Sequence, residues 1–510
     1  MKLHGALLLQ ALLTMAAPAS ARIFSGSPVV RMAPAGKVEG LRIAGVETFL
    51  GIPYAKPPVG NLRWRPPQPV GRWPGIRAAR AFGNDCPQET IPGDPYPSDQ
   101  PRSEDCLYLN VWQPAGAEGL PVMVWIHGGG WVSGTGAWVP TDGANLARHG
   151  VVVVTFNYRL GRFGFFAHPA LTAEANGRPA VNYAFLDMIA MLRWVQSNIA
   201  AFGGDPRQVT IFGESAGGAA VNFLMASPEA QGLFGKAIVQ SGASRDIFAT
   251  LKSDRPYKIS AEKAGLAFAG SAGLPAEASA AALRALPADV VAGKLSMWDM
   301  QADRFAGPTI DGGIVLADPI DRFKNGNVPA IPYLIGTNGH ELSEESFAQI
   351  VIDALVKYTP PDALAELRRA YGDPLEAAVI DDYLFGEAAR GYARIMVGRR
   401  SPTWLYRFDY VAEGDRSKRK AAKHASEIGY VFDNSPVGST SADRATARDM
   451  ASYWTNFAKA GNPNGAGLPG WPRSGAGDPM LLVANDGPRA DRDDNPRLDV
   501  IERVAAMRPR

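Results

Sequence analysis

Two separated stretches of this 510-residue chain hold residues whose types and spacing can do nucleophilic chemistry. One is Phe212-Gly213-Glu214-Ser215-Ala216-Gly217-Gly218, a G-x-S-x-G pattern. It follows the apolar run Val209–Phe212 and precedes small residues that suit a helix, Ala216 to Leu224. A strand that turns sharply into a helix holds its turn residue clear of the sheet, and flanking glycines leave room for a substrate. The turn residue is Ser215, so a hydroxyl is offered as nucleophile. A glycine-rich surface turn would give the same letters; the strand before and the helix after separate the two readings. The other stretch is the strand-like run Pro121–Ile126, which ends in His127-Gly128-Gly129-Gly130-Trp131. Successive glycines let backbone N–H groups converge on one point, where an oxyanion could sit. No Lys-Ser or Lys-Thr follows them, so a phosphate loop is not indicated.

A serine hydroxyl also needs a base and a group that orients the base. Six histidines are available: His4, His127, His149, His168, His340 and His424. His4 lies in the N-terminal leader and His127 has a structural position in the glycine loop. His149 ends a helix expected over Asp142–Arg148, where a cation suits the helix dipole. His168 stands in a turn before Pro169. His340 and His424 remain, both downstream of Ser215. The pairing of a nucleophile elbow with a glycine loop is the arrangement of esterases and lipases, with the N–H groups of Gly129, Gly130 and Ala216 expected to form the oxyanion hole.

Further motifs extend the pattern. They are Phe49-Leu50-Gly51-Ile52-Pro53-Tyr54-Ala55, Leu62-Arg63-Trp64, Glu104-Asp105-Cys106-Leu107-Tyr108-Leu109-Asn110-Val111, Phe202-Gly203-Gly204-Asp205-Pro206, Trp454-Thr455-Asn456-Phe457 and Gly461-Asn462-Pro463-Asn464-Gly465. Together they resemble the signatures of the type-B carboxylesterases, the family related to the cholinesterases, over nearly the whole mature chain. The resemblance implies an α/β-hydrolase fold: a central, mostly parallel sheet with helices on both faces and helical cap insertions. Gly336-Thr337-Asn338-Gly339-His340-Glu341-Leu342 is similar to the family's G-x-N-x-D-E-G, which makes Glu341 the catalytic acid. His340 replaces Asp and Leu342 replaces Gly there. Leucine resists the positive φ that glycine accepts, so Glu344 and Glu345 stand as alternative acids. His424-Ala425-Ser426-Glu427-Ile428-Gly429-Tyr430-Val431-Phe432 is similar to H-x-x-E-(I/L)-x-(Y/F)-V-F, which makes His424 the base and His340 a neighbour of the acid. The order Ser215, Glu341, His424 is that of α/β-hydrolases.

The resemblance also gives Glu214 a part near the leaving group, against a reading as a solvated turn residue, and gives Ser241 a supporting bond to the acid. It implies a disulfide between Cys86 and Cys106, where the alternative is two free buried thiols. Cholinesterase relatives hold a quaternary ammonium on a tryptophan inside that loop. Here Tyr96 is the only aromatic between the two cysteines, so a choline ester is not expected. Trp131, Trp138, Phe163 and Trp298 could line an acyl or alcohol pocket, or simply pack in the core or the cap.

Composition agrees with such an enzyme. Apolar residues make up 46% of the chain and the formal net charge is +2, so a large core is available and no nucleic-acid face is implied. Neither a cofactor nor a metal is implied, since two cysteines lack a histidine cluster for zinc. The uniformly apolar Val151–Val154 suits a central parallel strand covered on both faces. Apolar runs at Val122–Ile126, Val209–Phe212, Ala237–Val239, Tyr333–Ile335 and Leu405–Tyr410 alternate with helical patterns, one of them from Ala180 to Phe202. Helical insertions near 255–290 and 345–400 are expected to form a cap. Met1-Lys2, the apolar Leu7–Ala17 and Ala19-Ser20-Ala21 read as a signal peptide, residues 1–21, too short to span a bilayer. Residues 22–510 read as one catalytic domain, secreted or periplasmic. The absence of an N-x-(S/T) acceptor favours a bacterial source. The reading is a serine carboxylesterase on small-molecule esters. Alternatives are a specialised lactone or natural-product esterase with the same residues, or a non-catalytic binding protein. Oligomeric state is open.

Overall fold

Alternation along one strand organises the molecule. In Leu120–Ile126, Val122, Val124 and Ile126 join one buried cluster and Met123 and Trp125 join the other. A strand presents successive side chains to opposite faces, so a strand apolar at both sets of positions must be covered twice. The first face is covered by the helices Tyr183–Asn198, Ala216–Ala226 and Glu387–Gly398, and the second by Ala144–Arg148 and Ser441–Ala460. The structure is a computed structural model that describes residues 24–89, 98–177, 181–242, 248–256, 258–345, 348–435 and 438–507. The expected signal peptide and Tyr96 lie outside the described residues.

The strands, in chain order, are β1 (Ser27–Ala33), β2 (Gly36–Ile43), β3 (Val46–Pro53), β4 (Ile76–Ala78), β5 (Tyr108–Pro114), β6 (Leu120–Ile126), β7 (Val152–Phe156), β8 (Gly204–Glu214), β9 (Lys236–Gln240), β10 (Ala249–Thr250), β11 (Thr309–Ile310), β12 (Tyr333–Asn338), β13 (Thr403–Phe408), β14 (Pro479–Ala484) and β15 (Gly487–Arg492). Thirteen form one sheet, ordered β1-β2-β3-β5-β7-β6-β8-β9-β12-β13-β14-β15, with β4 beside β2; β10 and β11 pair separately. Pairing is parallel from β7 through β14 and antiparallel at both ends, except that β4 runs parallel to β2. The six expected strand runs are all present, and the helix expected from Ala180 begins at Tyr183. The antiparallel N-terminal strands had no comparable apolar run, because half of β1 faces solvent. The expected cap regions hold Ala261–Ser271, Ala280–Arg284 and Ala288–Ala292, then Ala348–Tyr358, Pro361–Tyr371 and a helix from Ala378 to Gly398. That last helix is interrupted by a π turn at Asp382–Gly386.

Candidate active site

β8 ends at Glu214, and Ser215 follows with φ 55° and ψ −122° before the helix Ala216–Ala226 begins. A non-glycine residue in such a region costs about 1–3 kcal/mol and needs the surroundings to hold it. Here the Ser215 N–H donates to Gln240 O (2.9 Å) and Ser215 O accepts from Ala219 N–H (2.9 Å). The helix then passes so near the end of β6 that a Cβ on Gly217 would overlap the carbonyl of Ile126.

That same end of β6 supplies the glycine loop, where Gly129 has φ 98° and Gly130 φ 59°. A trans peptide points its N–H opposite to its C=O. Gly128 O accepts from His127 Nδ1 (2.9 Å), which aims the Gly129 N–H the other way. Gly129 O accepts from Val132 N–H (3.1 Å) and Ser133 N–H (3.0 Å), which aims the Gly130 N–H likewise. Among the described residues, no hydrogen bond engages the N–H of Gly129, Gly130 or Ala216. His127 has the structural position expected of it. Its ring stacks on Tyr158 (4.3 Å between centroids), and burial depresses it to about 4, so it is neutral. Met297, which follows the helix Ala288–Ala292, lies 3.1 Å from where a Cβ on Gly130 would stand and borders the loop.

The acid and base arrive on loops. Glu341, just past β12, is buried. Its Oε1 accepts from Ser241 Oγ (2.7 Å) and Asn338 N–H (2.8 Å), and its Oε2 lies 2.5 Å from His424 Nδ1. His424 Nε2 lies 3.2 Å from Oε1 of Glu214, the residue before Ser215. Burial works against charge on the imidazole, but Glu214 and Glu341 outweigh it and raise His424 to about 10. Glu214 is fully buried, not a solvated turn residue. Cys86 and Cys106 are disulfide-bonded.

The two substitutions in the acid loop are accommodated. Leu342 keeps a negative φ, so the glycine of the family pattern is not required. Its N–H and that of Ser343 donate to Asp381 Oδ1 (2.8 and 2.9 Å), and Ser343 Oγ donates to Asp381 Oδ2 (2.6 Å). His340 is partly exposed and faces Glu344 (3.7 Å) and Asp381 (3.8 Å). Glu344 reaches Lys423 (3.5 Å). Of the three candidate acids, Glu341 is the one paired with His424.

Several residues at the site went unassigned in the sequence. Glu427 is fully buried and accepts from Asn338 Nδ2 (2.6 Å) and Gln240 Nε2 (3.0 Å); burial pushes its carboxyl up. Gln240 Oε1 accepts from Trp454 Nε1 (3.0 Å). The Phe385 ring, on the π turn, sits 5.2 Å from the His424 ring. Glu427 stood inside the quoted histidine motif, but Phe385 had no local signal. Of the four aromatics considered for a pocket, Trp131 packs on Phe165 and Phe185, Phe163 lies under Arg63, and Trp138 and Trp298 are partly buried.

The described residues contain no helix long and apolar enough to cross a membrane. The model of the carboxylesterase family matches residues 26–355 and 357–499. The chain is 37% identical over 485 residues to a fumonisin B1 esterase of Sphingopyxis macrogoltabida, covering 87% of this chain and 84% of that one. It is also 37% identical over 459 residues to the para-nitrobenzyl esterase of Bacillus subtilis (strain 168), covering 86% and 91%. A solved PNB esterase superposes with a TM-score of 0.80 at 33% identity, over 92% of this chain and 99% of the other. With an elbow serine, a glycine loop and an imidazole–carboxylate pair at the C-terminal ends of the central strands, and with matches of this length, the chain belongs to the carboxylesterase family and is a carboxylic ester hydrolase.

Proposed function

We propose that Ser215, His424 and Glu341 form the catalytic triad and that hydrolysis runs through an acyl-enzyme on Ser215. The observation that supports this most is the 2.5 Å contact between Glu341 Oε2 and His424 Nδ1, with Nε2 turned toward the residue next to the serine. His424 Nε2 takes the Ser215 proton as Oγ attacks the ester carbonyl. The negative charge on the carbonyl oxygen meets the N–H groups of Gly129, Gly130 and Ala216, each worth roughly 3–4 kcal/mol of barrier. The C–O bond breaks and the alcohol leaves with the proton from His424. Water then attacks the acyl carbonyl, giving its proton to His424, and the acid leaves as Oγ is reprotonated. Glu341 fixes the imidazole tautomer and stabilises the imidazolium.

Between turnovers the imidazole lies between two carboxylates, which favours its protonated form. The reaction needs the neutral imidazole, so His424 acts as base once it has released that proton. Ser241 supports Glu341 through its hydroxyl.

The apolar borders at Met297 and Phe385 suit small to medium apolar esters. A natural-product ester is the second reading, favoured by the name of the Sphingopyxis relative. Export through the leader at residues 1–21 agrees with the disulfide, a bond of oxidising compartments. Residues 22–510 act as one catalytic unit. A fluorophosphonate probe should label Ser215, and Ser215→Ala should lose p-nitrophenyl butyrate hydrolysis. Unchanged turnover in that variant would falsify the nucleophile assignment.

A further inference from the structure

The glycine loop is anchored from outside. Gly134, five residues after Gly129, has both of its backbone polar groups bound to one side chain: its N–H donates to Gln88 Oε1 (2.9 Å), and its carbonyl accepts from Gln88 Nε2 (3.0 Å). Beside it, Thr135 Oγ1 donates to Asp85 Oδ1 (2.5 Å). Gln88 and Asp85 flank Cys86 and so stand at the base of the disulfide-closed loop. Asp85, just before that loop, is itself tied to it: its N–H donates to Pro101 O (2.8 Å) and its carbonyl accepts from Ser103 N–H (2.9 Å). The amide of a glutamine matches a peptide group in shape and polarity, so the pair with Gly134 fixes both position and orientation. On its other side Gly134 lies against the His127 ring so closely that a Cβ there would overlap Nδ1.

The consequence runs along the chain. Gly134 follows Ser133, whose N–H is one of the two backbone donors on the Gly129 carbonyl. That carbonyl belongs to the same peptide unit as the Gly130 N–H. The ring of His127, on which Gly134 rests, orients the Gly129 N–H through Gly128 O. Displacing Gly134 therefore disturbs both peptide units that face the oxyanion.

We infer that Gln88 is a positioning residue for ester hydrolysis: it clamps the oxyanion loop to the disulfide-closed loop and thereby sets the direction of the Gly129 and Gly130 N–H groups. Gln88 touches neither substrate nor reacting atoms. The inference rests on the assignment of those two N–H groups to the oxyanion. It follows that the interaction weakened by losing Gln88 is one made with the tetrahedral species and not with the ground-state ester.

The test is Gln88→Met, which keeps length and removes both hydrogen bonds to Gly134 together with that from Nε2 to Cys86 O (3.2 Å), in the full disulfide-bonded chain. A shift of the donors by a fraction of an ångström should lower kcat for p-nitrophenyl butyrate roughly tenfold, with KM within about twofold. Affinity for an alkyl trifluoromethyl ketone, whose adduct with the serine bears the oxyanion, should weaken by the same factor, while inhibition by butyrate stays constant. Thr135→Val cuts the neighbouring tie and should act in the same direction, about threefold; it also serves if Gln88→Met does not fold. A lower melting temperature with kcat and ketone affinity unchanged would make the contact ordinary packing and overturn the inference. Labelling of Ser215 by a fluorophosphonate separates the two proposals. Wild-type protein that labels and hydrolyses while both variants match it sinks the clamp alone, whereas wild-type protein that does neither removes the reading beneath it.

Discussion

The two halves of the site are built from different materials. The proposed anion-binding half is backbone: its donors would be the peptide N–H groups of Gly129, Gly130 and Ala216, aimed by the sterics of the β6 and β8 ends. The proposed proton-handling half is side chain: Glu341, His424 and Glu427 stand on loops and Glu214 ends β8, held by Asn338, Gln240, Ser241 and Trp454. The first half tolerates almost no change of residue type, because a single Cβ at Gly217 meets a carbonyl oxygen. The second absorbed two departures from the family pattern, because Asp381 caps the loop at Leu342 and Ser343. Backbone sites depend on shape and are indifferent to pH; side-chain sites depend on charge balance and can be rebuilt from a neighbouring element.

The strongest challenge to that contrast is Glu341→Gln. It keeps shape and removes charge, so kcat should fall roughly ten-thousandfold, measured with p-nitrophenyl esters. An equal loss in Glu345→Gln would break the assignment of the acid. Next is Gly129→Ala, a change of shape without charge at a residue with φ 98°. It should cost about a hundredfold or more in kcat, and the loss should be the same at every pH between 6 and 9. A pH-dependent loss would show that the halves are not separable.

Glu214→Gln probes the charge balance from the other side. Removing one of the two carboxylates lowers the affinity of His424 for its proton, so the acid limb of the kcat/KM profile should move down by about one pH unit or more. Stability follows the same sign. With His424 at about 10 when folded and near 6.5 unfolded, its charged form adds stability that is full below pH 6.5 and fades as pH rises to 10. In Glu214→Gln this contribution should fade at lower pH, which melting temperatures taken across that window would reveal. The smallest effect on chemistry belongs to the disulfide. Replacing Cys86 and Cys106 by serine should cost ~3 kcal/mol of stability in urea, with a fall in kcat no larger than that of Gln88→Met. A larger fall would place more of the anion-binding geometry in the disulfide than the clamp supplies.

The same division governs what could be read beforehand. Ser215, Gly129 and Gly130 announce themselves locally, since strained turns and converging N–H groups demand glycine at fixed offsets. The parallel strands were equally legible, being apolar on both faces. Glu341 and His424 were reachable only through longer motifs. Phe385, Asp381, Gln88 and Met297 were not reachable: each acts across a separation of 38 residues or more, and nothing in its neighbours marks it. Leu342 looked like an obstacle because the family pattern has glycine there, yet the backbone keeps an ordinary conformation and a distant aspartate supplies the support.

Trp454 reaches Gln240 from the long helix near the end of the chain, and Gln240 in turn steadies Glu427. The serine and its anion pocket are thus synthesised early, while the imidazole and its last buttress emerge some two hundred residues afterwards. With His424 as the proposed base, a nascent polypeptide displaying the finished elbow would still be inert toward esters. Catalytic competence is reserved for the chain that has been completed and threaded into register.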